Sequence, residues 1–105
     1  MFIAMNRFRI NPGKQEDFEN IWRARESHLH EMAGFKSFNL LKGALDETTG
    51  ITLYASHTVW EDRASFAAWT NSQQFRDAHK NAGAHNGIHA GHPQFEGFEA
   101  VEGVA

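Results

Sequence analysis

Residues 2–13 read FIAMNRFRINPG, and this stretch decides the fold. Phe2 to Ile10 is rich in Phe and Ile and stops at Asn11-Pro12-Gly13, where Pro fixes its own φ and Gly admits a left-handed backbone. The pattern predicts a strand over 2–10. Alternate side chains of a strand take opposite faces, so Phe2, Ala4, Asn6, Phe8 and Ile10 share one face while Ile3 and Met5 take the other. Large apolar groups therefore lie on both faces. A layer of helices would account for one; the other needs a second cover.

Outward from this strand the period changes. Phe18, Ile21, Trp22, Leu29 and Met32 form one stripe at three- and four-residue spacing, predicting a helix over Lys14 to Glu31. Ala33-Gly34 ends it, with Gly34 suited to the left-handed position after a helix. Phe35 to Lys42 and Ile51 to Val59 read as two further strands, joined by the polar segment GALDETTG, Gly43 to Gly50. Glu61-Asp62 opens a second helical region carrying Phe66 and Trp69, since acidic residues favour a helix N-terminus. Ser72 is a good N-cap for a short further helix, on which Phe75 and His79 lie four residues apart. Lys80 to Gln94 is loop-like, and QFEGFEAV, Gln94 to Val101, makes a last strand.

The order β-α-β-β-α-β is the ferredoxin-like arrangement, an α+β fold whose antiparallel sheet carries helices on one face. With no linker or low-complexity tract, residues 1–105 are expected to form a single domain. The apolar residues of both parities include Ile51, Leu53 and Val59 against Tyr54, and Phe95 against Phe98. The simplest cover for the second face is another sheet, so a homodimer is expected.

The formal net charge of −3 argues against nucleic acid or an anionic membrane as the main partner, because both need a basic patch. The absence of cysteine removes disulfides, zinc–thiolate sites, iron–sulfur clusters and thiolate-ligated haem together. No apolar run approaches the roughly 20 residues that span a bilayer, and MFIAMNRFRI lacks the basic start and cleavage site of a secretory leader. A cytoplasmic protein is expected.

Three residues stand apart from the fold. Asn6 shares its strand face with Phe2 and Phe8, where an amide left without a hydrogen bond costs about 1–3 kcal/mol; it either bonds backbone or awaits a ligand. Trp69 follows Phe66 at helical spacing, a pattern usual for core. His79 ends a helix beside Phe75, where a cap on the helix dipole is the ordinary role. That dipole favours imidazolium, which cannot bind a metal, so a ligand role needs the metal's charge to outcompete the proton.

Together the three carry a resemblance. Residues 59–83, VWEDRASFAAWTNSQQFRDAHKNAG, resemble the second helical region of the IsdG-type haem-degrading monooxygenases, within the antibiotic biosynthesis monooxygenase superfamily. The matching elements are Trp60, Phe66-x-x-Trp69, Ser72-x-x-Phe75 and Ala78-His79, with MNRF around Asn6 and Ala33-Gly34-Phe35 as further matches; residues 1 to about 83 are covered well. The resemblance implies a dimeric α/β barrel in which haem is both cofactor and substrate. Asn6, Trp69 and His79 would be the catalytic set, with His79 as ligand to the haem iron, Asn6 bonding the distal water or oxygen, and Trp69 distorting the porphyrin. An external electron donor is implied as well.

Haem is a flat apolar plate with two carboxylates and needs an aromatic slot with a cationic edge. Phe8, Phe66 and Phe75 are expected to line that slot beside Trp69. Arg25 matches a basic position near the propionates, unless it lies on a solvated helix face; Arg23 is a poorer substitute. His85, His89 and His92 could suggest a metal site, but Gly87, Gly91 and Pro93 oppose a helix and the loop supplies no carboxylate. The loop is read as a flexible flap over the haem entrance. Two alternatives share the fold: a cofactor-free monooxygenase of aromatic polyketide-like phenols, and a non-catalytic haem-binding protein.

Overall fold

Periodicity and structure agree most closely at the first strand. The computed structural model describes residues 1–79 and 87–104, and within it β1 spans Phe2–Ile10, as the alternation predicts. β2 spans Phe35–Leu45, past the expected Lys42, and β3 Thr52–Trp60, displaced from Ile51 to Val59, because the ladder pairs Leu45 with Thr52 and both Phe2 and Phe35 with Trp60. The turn between them is held by Asp46. Its carbonyl accepts from Gly50 N–H at 2.7 Å, and its carboxylate accepts from Thr48 N–H at 2.9 Å. β4, Gln94–Glu99, stops two residues short of Val101. All neighbours are antiparallel in the order β2-β3-β1-β4, the ferredoxin-like architecture.

The first helix is shorter than expected. α1 covers Gln15–Ala24 rather than continuing to Glu31. Arg25 turns extended (φ −76°, ψ 130°), His28 takes a left-handed φ of 60°, and Leu29–Glu31 form a single 3₁₀ turn. Residues 25–28, Arg-Glu-Ser-His, offer no apolar side chain to hold another helical turn on the sheet. The break instead lets Leu29 sink beside Phe2 and Trp60. Gly34 is left-handed (φ +82°) as expected, but it follows this turn and not α1.

α2, Arg63–Thr70, starts at Asp62, whose carboxylate accepts from Ser65 N–H at 2.8 Å. α3, Gln73–His79, starts at Ser72, whose Oγ accepts from Phe75 N–H at 3.0 Å. The Ser72 cap is the one the sequence offers, and Asp62 belongs to the acidic pair expected where α2 opens.

Part of the expected flap, residues 80–86 with His85, lies outside the described residues. Residues 87–90 are docked on the end of β1, which corrects the flap reading for that stretch. Asn11 N–H donates to Ile88 O and Ala90 N–H to Arg9 O, both at 2.8 Å. The Asn11 amide also donates to Gly87 O at 3.0 Å, and Ile88 is buried in the cluster that holds Phe8 and Ile10.

The helices cover the face of Phe2, Ala4, Phe8 and Ile10 in two apolar clusters. One joins Phe2, Leu29, Trp60 and Trp69; the other joins Phe8, Ile10, Phe18, Tyr54 and Ile88. On the opposite face, Ile3 pairs with Val59 and Phe98, and Leu41 with Ala55. Leu41, Leu53 and Phe98 of that face are exposed in the single chain. Among the described residues no helix is long and apolar enough to cross a membrane.

Candidate active site

A cavity of about 380 Å³ lies between the sheet and the helices, within the range of small-molecule sites. Its existence follows from side-chain size at paired positions of β1 and β3. Phe8 sits opposite Tyr54, and Phe2 opposite Trp60. Between these bulky rows lie Asn6 opposite Ser56 and Ala4 opposite Thr58. Four small or polar side chains cannot fill the layer that aromatic rings fill on either side.

His79 lines the cavity from the helical side. Its ring stacks on Phe75 at 4.1 Å between centroids, and Nδ1 lies 2.8 Å from Phe75 O. A carbonyl only accepts, so Nδ1 carries the proton and donates it. Nε2 is left with a free lone pair. Burial pushes the imidazole pKa down from its usual 6.5, and the nearby Arg25 charge lowers it further, against the raising effect of the Phe75 carbonyl. This direction is opposite to the imidazolium that a helix end by itself would favour.

Arg25 also lines the cavity, and its guanidinium lies over the Trp22 ring at 4.2 Å. It is half-buried and has no ion pair among the described residues, so the solvated-face reading does not hold. Arg23 is committed elsewhere, to Glu19 at 3.1 Å on the outer side of α1. Burial also lowers the Arg25 pKa, which marks a cation with no anion at hand.

Trp69 is 6% exposed and meets Phe75 edge-on at 5.4 Å, Trp60 at 6.3 Å and His79 at 6.4 Å. Phe66 stacks on Phe95 of β4 at 5.5 Å. Asn6 lies across the cavity on the sheet, and its amide makes no hydrogen bond among the described residues. Of its two sequence-level readings, the one in which the amide awaits a ligand fits this placement.

Phe8 is a correction. It does not line the cavity; it packs against Phe18 at 5.3 Å and Trp22 at 5.8 Å in the filled half. Two residues along a strand is about 6.5 Å, enough to move it past the boundary between the halves. The sequence reading missed Trp22, Phe38, Ser56 and Phe95, all of which line the cavity. Trp22 and Phe38 stack on each other at 5.6 Å. Trp22 was visible as an apolar stripe residue, but only strand register reveals Ser56. His89 meets the rings of Phe8 and Phe18 in the filled half, and His92 is exposed. Among the described residues no three His, Asp or Glu side chains gather to hold a metal ion.

Residues 1–81 match the sequence family described as Antibiotic biosynthesis monooxygenase. Among solved structures, the chain is similar to the heme-degrader MhuD from Mycobacterium tuberculosis, determined with two hemes in its active site. The identity is 24%, with complete coverage of both chains and a TM-score of 0.71. It is also similar to SnoaB from Streptomyces nogalater, a cofactor-independent oxygenase. That match has 19% identity, 96% and 93% coverage of the two chains, and a TM-score of 0.66.

Proposed function

We propose that this chain, which belongs to the antibiotic biosynthesis monooxygenase family, is an oxygenase that opens the ring of haem, releasing iron and an open tetrapyrrole. The observation that carries the reading is His79. A neutral imidazole lines an aromatic cavity with Nδ1 tied to a carbonyl and Nε2 free. Metal-ligating histidines are oriented in this way, by a hydrogen bond from the other ring nitrogen. In a cofactor-free oxygenase, as SnoaB is described, the same nitrogen would serve as a general base, and haemin binding separates the two readings.

The remaining residues fit the same group. His79 would hold the iron, Arg25 would face the two carboxylates, and Phe66, Trp69 and Phe75 would meet the apolar plate. Bound haem supplies an iron centre that activates dioxygen with electrons from an external donor. The chain's own work is positional. The Phe75 carbonyl fixes the tautomer and plane of His79. Asn6 offers an unused amide from the sheet to orient a small ligand by hydrogen bonding. Trp69, held by Trp60 and Phe75, would press on the plate. Residues 1–105 act as one domain, and the face of Leu41, Leu53 and Phe98 packs on a second copy of the chain as a homodimer.

The test is a haemin titration followed by ascorbate in air, with mass analysis of the product. A sharpened Soret band that then disappears, with an open tetrapyrrole formed, is expected. His79→Ala should lose both the band position and the turnover. An unchanged Soret band and unchanged turnover in that variant would overturn the assignment. A wild-type protein that never perturbs the haemin spectrum favours the cofactor-free reading, and a Soret band that survives reductant in air indicates a haem carrier.

A further inference from the structure

The cavity floor carries a second unused polar group. Ser56 pairs with Asn6 across the β1–β3 ladder, so their Cα atoms lie about 4.5–5.5 Å apart. Both residues line the cavity. Ser56 is 7% exposed, yet its hydroxyl makes no hydrogen bond among the described residues. Its neighbours show what commitment looks like in this strand. Thr58 Oγ1 donates to Ala4 O at 3.3 Å, and Thr52 Oγ1 accepts from the Gln15 amide at 3.1 Å. Thr58 lines the same cavity with its hydroxyl already committed, and Thr52 lies outside it, so Ser56 alone of the three brings an uncommitted hydroxyl to that space.

We propose that Ser56 Oγ is a ligand-orienting group. Together with the Asn6 amide, it would form a two-point hydrogen-bonding platform for a small anionic or dipolar ligand held above the sheet. The inference rests on the haem reading and adds a residue to it. One donor fixes a distance, whereas two adjacent donors also fix a direction. A hydroxyl donates one hydrogen and accepts two, and it turns to suit either. The residue on its other side in the sheet, Leu40, has no polar side-chain group to compete for it.

Fluoride binding to the ferric haemin complex is the probe, because fluoride only accepts hydrogen bonds and its binding is read optically without turnover. Ser56→Ala removes one oxygen at nearly constant volume. Fluoride affinity is expected to fall by about five- to tenfold more than haemin affinity does. Ser56→Thr, which keeps the hydroxyl, should restore most of it. Haemin-loaded Ser56→Ala with wild-type fluoride affinity would overturn the role of Ser56 alone, as would a Thr variant no better than Ala. A wild-type chain that binds no haemin removes the underlying functional reading, and this inference with it.

Discussion

The two halves of the helix–sheet layer rest on the same pair of strands in the same register, yet one is solid and the other hollow. In the solid half, Phe8 and Tyr54 face Phe18, whose ring lies 5.3 and 4.8 Å from theirs. In the hollow half, one step along each strand face, Asn6 and Ser56 face Arg25, Trp69 and His79 across the cavity. The polar groups also differ. Tyr54 donates to Glu19 at 2.5 Å, and Lys42 lies 3.3 Å from the same carboxylate. Burial and that bond raise the phenol pKa, and the bond holds Glu19 below its usual value. In the hollow half Arg25, Asn6 and Ser56 have no such partners among the described residues. Stability is concentrated where groups are satisfied, and chemistry is available where they are not.

The comparison breaks most sharply at Phe18. Phe18→Ala empties the solid half and should lower unfolding free energy by about 3–5 kcal/mol, measured by urea denaturation. A loss below about 1 kcal/mol would mean the solid half is not the anchor. The reverse exchange is Ser56→Phe, which gives the hollow half the aromatic floor of its neighbour. Haemin affinity should fall by about 100-fold while the fold persists, since the ring occupies the space the ligand needs. Retained affinity with a folded protein would place the ligand elsewhere.

The smallest effect sharpens the electrostatic contrast. Burial and Arg25 keep His79 neutral below its usual 6.5, so haemin binding should persist under mildly acidic conditions. It is lost only as pH falls through the lowered value and a proton takes Nε2. Arg25→Gln removes one of the two lowering causes, so the inflection of haemin affinity against pH should move upward. A downward or absent shift would show that the Arg25 charge does not reach the imidazole. In the apo protein the same sign holds: unfolded His79 binds more protons, so stability declines as pH drops below about 6.5.

The sequence exposes local features and conceals those that depend on pairing. β1, the Ser72 cap and the Phe75–His79 spacing are contained within a few residues, and each appears where the pattern puts it. The end of α1 did not, because the stripe of Leu29 and Met32 continues past a break that only the packing of Leu29 beside Phe2 and Trp60 explains. The protonation tendency of His79 read wrongly for the same reason. The dipole is local, whereas burial in the folded chain and the charge of Arg25, distant in sequence, lower the pKa. Phe8 loses its expected place in the cavity and Ser56, which no pattern singled out, gains one once β1 is set against β3, because no single-strand pattern states which residues will face each other.

That pairing also bears on how the chain assembles. The β2–β3 hairpin closes over the short turn at Asp46, whereas Asn6 meets Ser56 only by closing a loop of about 50 residues. Loop-closure entropy grows with length, by about 0.6 kcal/mol for each doubling. The central pair of strands is therefore the more expensive ladder to close, and the hairpin has the kinetic advantage. Asn6 and Ser56 sit on that late-closing ladder, so a chain in the course of folding has its hairpin before it has a binding site.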